Sequence, residues 1–419
     1  MKILYLTAGA AQMYCGSCLR DNALAAELRR QGHDVLLLPM YTPTRTDEPN
    51  ASHEKVFFGG VSVYLEQYAP FLPRWLDKIW DAGPLLRWAA RRKIQTAPKA
   101  LGEMTVSMLQ GADGRQRREI DKLTAWLRHE PPPDVVSLPY TLLIALAEPL
   151  KKALQRPVVC TLQGEDLFLE GLPEPYRTQS LELIRSQVKR VDAFVAVSEY
   201  YAEFMQKYLR IPPEKMRVVP LGINLEGYGM RETDQQRPFT VGYFARVAPE
   251  KGLHIAVAAH KILRQSIPDA RLEAAGYLGA EHENYLREIQ RNAGAGFSYR
   301  GEPDKEGKIK FLRGLDVLSV PATYDEPKGI FLLEAMACGV PVAQPRRGAF
   351  TEVVEKTGGG LLVEKDSPEA LAAGWLELYR NPERAAELGR KGFAAVREHY
   401  SVGLMAERTV AVFKQLGPE

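Results

Sequence analysis

The stretch Tyr324–Glu355, YDEPKGIFLLEAMACGVPVAQPRRGAFTEVVE, decides how the chain is read. Leu332 to Cys338 reads as a helix, entered through the loop Pro327-Lys328-Gly329. Val340 to Gln344 follows as a short apolar run, as expected of a parallel strand buried on both faces. Gly329 lets the backbone approach a ligand closely. The amides near Ile330 and Phe331 then open the helix, where unpaired N–H groups and the helix dipole favour an anion. Glu326 precedes this turn and Glu334 lies inside the helix, with seven residues between them. Leu333, Ala335 and Met336 flank Glu334, so it is not an ordinary surface carboxylate. Burying it without a partner would be costly.

Two acids at this spacing constrain the chemistry. Eight residues along a helix span roughly 12 Å, whereas the paired carboxylates of glycoside hydrolases sit about 5–9.5 Å apart. The spacing suits two hydroxylated groups separated by a diphosphate, with a sugar at one end and a ribose at the other. The plainer alternative is one solvated loop carboxylate and one on a helix surface.

Upstream, FTVGYFARVAPEKG (Phe239–Gly252) restarts an α/β pattern. Phe239 to Phe244 is a strand, Gly252 to Ile267 a helix and Ala270 to Gly276 a strand. Short strands at Ser298–Gly301 and Val317–Pro321 follow, and the tail from about Ser367 is mostly helical. Arg246 and Lys251 sit in the loop leaving the first strand and at the start of the next helix. Ligands in open α/β sheets bind outside the carboxyl ends of strands. A rigid guanidinium fork and a mobile ammonium there suit a diphosphate; a solvated basic loop is the competing reading.

The first half has the same rhythm. Lys2–Thr7 is a strand, Ser17 to Gln31 a helix ended by Gly32, and Val35–Pro39 a second strand. Further strands are expected at Asp134–Leu138, Val158–Leu162, Ala193–Val197 and Met216–Pro220. Residues about 41–130 break the rhythm and read as an insertion. Arg231–Pro238 is a polar linker. The expected fold class is therefore α/β, with two Rossmann-like doubly wound domains. The first spans 1–230 and the second 238–397, with 398–419 a C-terminal helix crossing back to the first domain.

The totals exclude several classes. The chain has 419 residues with 55 basic and 52 acidic side chains, a net charge of +3 that does not point to nucleic acid. Four cysteines are too few for a disulfide framework, and the compartment is expected to be reducing. No apolar run reaches the roughly 20 residues needed to span a bilayer, so a cytoplasmic protein is expected. Cys15-Gly16-Ser17-Cys18 forms a CxxC at a helix start, where thiol pKa falls. It lacks a second ligand pair for zinc, and no metal is expected. Small residues in a loop that must approach a ligand are the simpler reading. Phe71–Lys93 carries Trp75, Trp80 and Trp88 among Arg and Lys residues. Core tryptophans with a solvated basic face account for it, and peripheral membrane contact is the sharper alternative.

Arg246 with Lys251, the paired glutamates, LEAMACGVPV, Gly348 and Glu352 together resemble the family 4 retaining glycosyltransferases of the GT-B fold, two Rossmann-like domains facing across a cleft. In the first half DVVSLPY, VAVSEYY and RVVPLGIN resemble that family's N-terminal strands and hinge. The resemblance implies transfer of a sugar from a nucleoside diphosphate sugar to a carbohydrate, lipid-linked or small-molecule acceptor, with retention and without a metal or other cofactor. It implies that Arg246 and Lys251 stabilise the leaving diphosphate, Glu326 binds donor-sugar hydroxyls and Glu334 binds the ribose. Backbone amides at Gly329, Ile330 and Phe331 would contact phosphate or sugar. Lys328 departs from the family, which often has an aromatic or apolar residue there; a lysine beside the phosphates adds a cation, and a solvated side chain is the alternative. Gly16 would let its loop close over the diphosphate, and Gly301 and Glu302 would border the base. Gln163 stands where the family presents a histidine near the sugar; it keeps hydrogen bonding but carries no proton charge. Cys15, Asp21 and Asp166 are placed on the acceptor side. A nucleotide-sugar epimerase of similar build and a non-catalytic nucleotide-sugar-binding protein are the alternatives. A dinucleotide dehydrogenase is disfavoured, because GxGxxG does not follow the first strand.

Overall fold

The computed structural model describes residues 1–9, 16–44, 46, 48–58, 98–231 and 237–417. It divides into two units, Met1–Pro220 with Ala406–Glu419, and Leu221–Met405.

The first unit is built on six parallel strands: β1 (Lys2–Thr7), β2 (Asp34–Pro39), β3 (Val135–Leu138), β4 (Val158–Leu162), β5 (Ala193–Ala196) and β6 (Met216–Val218). Their spatial order is β2-β1-β3-β4-β5-β6. The direction of winding reverses between β1 and β3, and such a switch point opens a crevice at the carboxyl ends of the strands. Strands β3, β4 and β5 are buried at every residue, which explains why they read as unbroken apolar runs rather than alternating ones. Within the expected insertion, the described helices Pro98–Leu109 and Arg117–Leu127 place Met108, Leu109, Ile120 and Leu123 in this unit's core. The tryptophan-bearing stretch Phe71–Lys93 and Cys15 lie outside the described residues.

The second unit has β7 (Thr240–Phe244), β8 (Arg271–Ala275), β9 (Phe297–Tyr299), β10 (Val317–Leu318), β11 (Val342–Pro345) and β12 (Gly360–Val363). All run parallel in the order β12-β11-β10-β7-β8-β9. Read from the other edge this is the 3-2-1-4-5-6 order of dinucleotide-binding domains, with its switch point between β7 and β10. Strand β12 is absent from the sequence reading: it is a half-buried edge strand of four residues that begins at the third glycine of the run Gly358-Gly359-Gly360, so it shows no long apolar run. The helix expected from Leu332 begins two residues earlier, at Ile330.

Glycine fixes the switch point. Gly252 has φ +74°, and a Cβ there would lie 1.8 Å from the carbonyl oxygen of Pro321. The Thr323 amide donates to the Glu250 carbonyl at 2.9 Å. The loop after β7 is thereby stitched to the loop after β10. Gly252→Ala meets both a left-handed backbone and a backbone clash, so it is expected to lower stability by more than about 2 kcal/mol; urea unfolding measures it. No helix among the described residues is long and apolar enough to cross a membrane.

Candidate functional site

In the second unit, the two loops at the switch point bring Lys251 and Glu326 together. Lys251 ends the short turn Pro249–Lys251 and Glu326 lies in the loop after β10. The Lys251 Nζ is 2.5 Å from Glu326 Oε2 and donates to the Tyr324 hydroxyl at 2.5 Å. Tyr324 in turn donates to the same carboxylate oxygen. Glu326 is 4% exposed. Burial pushes its carboxyl up, but the Lys251 ammonium, the bonds from Lys251 and Tyr324, and the charge of Lys328 together hold it below the ordinary glutamate value. It is a buried carboxylate kept ionised by cations.

Gly348 presses against the far side of this loop. Its φ is +51°, and a Cβ would come within 2.6 Å of the Glu326 carbonyl oxygen. That carbonyl accepts the Ala349 amide at 2.8 Å. The helix Gly348–Thr357 thus anchors the backbone that presents Glu326.

Three residues beyond Glu326, Gly329 takes the left-handed conformation at φ +67° and caps the helix Ile330–Ala337. No side chain caps this end. The amides of Ile330 and Phe331 have no intrahelical carbonyl within reach, which makes the turn a candidate anion cradle. Glu334, five residues into the helix, is 6% exposed and receives Lys308 Nζ at 2.7 Å and the Tyr228 hydroxyl at 3.2 Å, both on Oε1. Arg246 is more exposed and pairs with Glu250. Arg246 and Lys251, expected as diphosphate cations or a solvated basic loop, are thus each paired with a carboxylate. Gly301 has φ +77° and its carbonyl accepts the Gly276 amide at 2.8 Å, joining the ends of β8 and β9; Glu302 is exposed beside it.

The remaining candidates form a second cluster in the first unit. Asp21, 1% exposed, accepts from Thr7 at 3.2 Å, Arg20 at 3.1 Å and Gln163 Nε2 at 3.3 Å. Gln163 Nε2 also donates to the Pro139 carbonyl at 2.9 Å, beside the switch point. With both amide hydrogens used, Gln163 Oε1 is buried without a partner among the described residues. Burial raises the Asp21 carboxyl, with Arg20 opposing. Asp166 begins the helix Asp166–Glu170 and accepts the Tyr201 hydroxyl at 2.6 Å. Gly16 opens the helix Gly16–Arg30, and a Cβ there would meet nothing within 4 Å. Cys18, Cys160 and Cys338 are buried free thiols. Among the described residues no group of three or more His, Cys, Asp or Glu side chains is placed to hold a metal.

Tyr324, Lys308 and Tyr228 were not singled out from sequence. Tyr324 carried a signal, two positions before Glu326 in the same loop. Lys308 carried another: it stands four residues before Leu312, on the core-facing stripe of the helix Lys305–Arg313. Tyr228 lies 106 residues from Glu334, the carboxylate it donates to.

Two parallel Rossmann-like sheets, each with a switch point, define an α/β protein of the GT-B type, with a cation–carboxylate pair and an open helix start at the second switch point. Known proteins narrow this. Residues 231–394 match the family model for glycosyl transferases group 1, and residues 107–226 match that for glycosyltransferase family 4. Together the two matches cover more than half of the chain, which belongs to the family 4 (group 1) glycosyltransferases. A D-inositol 3-phosphate glycosyltransferase of Segniliparus rotundus is 29% identical over 241 residues, 53% of this chain and 52% of that one. The chain thus spans about half the length of that relative. A GDP-mannose-dependent monoacylated alpha-(1-6)-phosphatidylinositol monomannoside mannosyltransferase of Corynebacterium glutamicum is 26% identical over 289 residues, 65% of this chain and 74% of that one. Sucrose-phosphate synthase of Thermosynechococcus elongatus shares the fold at TM-score 0.74 and 18% identity, covering 99% of both chains. HepE of Anabaena, solved with UDP-glucose, does so at 0.68 and 18%, covering 99% of this chain and 100% of that one.

Proposed function

We propose that this protein transfers a sugar from a nucleoside diphosphate sugar to an acceptor hydroxyl, with retention of anomeric configuration and without a metal ion. The observation that carries this reading is the Lys251–Glu326 pair at the switch point, beside the open helix start at Gly329. As the glycosidic bond breaks, negative charge develops on the departing diphosphate. Lys251, Arg246, Lys328 and the amides of Ile330 and Phe331 are fixed donors for that charge, stabilising it more in the transition state than in the ground state. When the diphosphate takes over the Lys251 ammonium, Glu326 is released to accept hydrogen bonds from donor-sugar hydroxyls. Glu334 accepts from the ribose. In the first unit, Gln163 supplies a polar contact to the substrate, and Asp21 and Asp166 border the acceptor. Relatives named for GDP-mannose, and HepE bound to UDP-glucose, favour a hexose donor on UDP or GDP.

The test is turnover of UDP-, GDP- and ADP-sugars with pooled glucan, lipid and small-molecule acceptors. Acceptor-dependent release of nucleoside diphosphate is expected, with activity persisting in excess chelator. Complete loss in chelator, restored by a divalent ion, would overturn the metal-free mechanism. A changed free nucleotide sugar formed without acceptor would identify an epimerase instead. Tight binding of a donor with no turnover would leave a binding protein.

A further inference from the structure

Glu334 is held asymmetrically. Lys308 Nζ and the Tyr228 hydroxyl both reach Oε1, at 2.7 and 3.2 Å. Among the described residues none donates to Oε2. A carboxylate with one oxygen satisfied and the other bare is set to receive a donor from outside the chain.

The arrangement is built at some cost. Lys308 is 5% exposed and sits on the buried side of the helix Lys305–Arg313. An ammonium in that position loses hydration that only a close carboxylate repays. Asp304 caps the helix by accepting the Gly307 amide at 2.8 Å, which fixes the turn that carries Lys308. Tyr228 is held through its backbone: its carbonyl accepts from Arg397 at 3.2 Å, and Arg313 donates to the carbonyls of Gly227 and Gly229, each at 3.3 Å. Burial, then the Glu334 charge, push the Tyr228 phenol up, so its hydroxyl keeps its proton and donates near neutral pH. The two side chains come from different segments and converge on one oxygen atom.

We propose that Lys308 and Tyr228 are positioning residues that hold the Glu334 carboxylate by Oε1 and turn it so that Oε2 accepts from a vicinal diol, the ribose of the bound nucleotide. This rests on the nucleotide-sugar reading and adds to it the residues that decide between ribose and deoxyribose. Without Lys308 the carboxylate loses its anchor on Oε1 and turns away, and the diol loses its acceptor. The diphosphate contacts at Lys251 and Gly329 are untouched.

The experiment is calorimetric titration of the full chain with UDP, GDP and ADP, then of the tightest of these beside its 2′,3′-dideoxy analogue. Two hydrogen bonds to a charged acceptor predict that the ribonucleotide binds wild type about 10- to 100-fold more tightly than the analogue. In Lys308→Met the ratio is expected to fall towards one while the analogue's own affinity holds. Lys308→Arg should keep part of the preference, and Tyr228→Phe should lower it about threefold. If Lys308→Met does not fold, Lys308→Arg and Tyr228→Phe carry the test, since both keep the Glu334 carboxylate and move only its anchor. A wild-type ratio near one, or a ratio unchanged in Lys308→Met or, failing that, in both of the other variants, overturns the proposal and leaves the nucleotide-sugar reading standing. No binding of any of the three nucleotides to wild type overturns both.

Discussion

Lys251→Met is expected to lose turnover by about 10²- to 10³-fold, the effect of removing one fixed donor from a site of developing negative charge. It is also expected to lose stability in a pH-dependent way. Glu326 is buried, and against that burial the Lys251 ammonium is the strongest influence that keeps its carboxyl low. In wild type the depressed value means that Glu326 contributes stability fully above its unfolded value of about 4.3, and that this is lost as pH falls through the folded value. In the variant burial dominates, opposed only by Tyr324 and the charge of Lys328, and the carboxyl moves up. Breaking a buried pair by removing one partner costs about 3–5 kcal/mol. The stability gap between the proteins should therefore be widest near neutral pH and should narrow below about pH 5. Urea unfolding of both proteins across pH 4–8 measures it. A gap independent of pH would mean that Glu326 does not carry the charge assigned to it.

Glu326→Ala is expected to abolish transfer to below detection while leaving binding of the nucleoside diphosphate within about threefold, since the contact it removes is to the sugar. Its stability should change less than that of Lys251→Met, because the cation left behind lies at the site's edge, 14% exposed, where water reaches it. Turnover equal to wild type would remove Glu326 from the sugar site. Loss of both turnover and diphosphate binding would instead mean that Glu326 chiefly orders Lys251.

Much of this was legible because parallel sheets buried on both faces leave continuous apolar runs. VVCTL and TVGYF announce strands without any partner being known. The strand ends then locate the loops, and Arg246, Lys251 and Glu326 all fall on such loops. Strand β12 was not legible, because an edge strand needs little apolar sequence. The partners of the carboxylates were not legible either. The sequence around Glu334 shows that a buried acid must be neutralised somewhere, but Lys308 lies 26 residues away and Tyr228 lies 106 away. Only the folded chain says which cation answers. Gln163 was anticipated as a contact, whereas its fixed amide, with both hydrogens spent on Asp21 and Pro139, depends on three separate segments meeting.

The first unit is closed by Ala406–Glu419, while the second runs without interruption from Leu221 to Met405. The two segments that pass between them pair with each other: the Ile223 amide donates to Tyr400 at 2.9 Å, and the Val402 amide to Ile223 at 2.9 Å. Vectorial synthesis on a ribosome therefore inverts the order of completion. The unit translated first waits for a segment made only after the whole of the second unit, and with it for Ala406, Val410 and Phe413, all buried in the folded chain. The unit translated second has all of its own chain beforehand. A nascent chain stalled short of residue 406 would hold a finished second unit tethered to a first unit that still lacks its closing segment and stays open to chaperones.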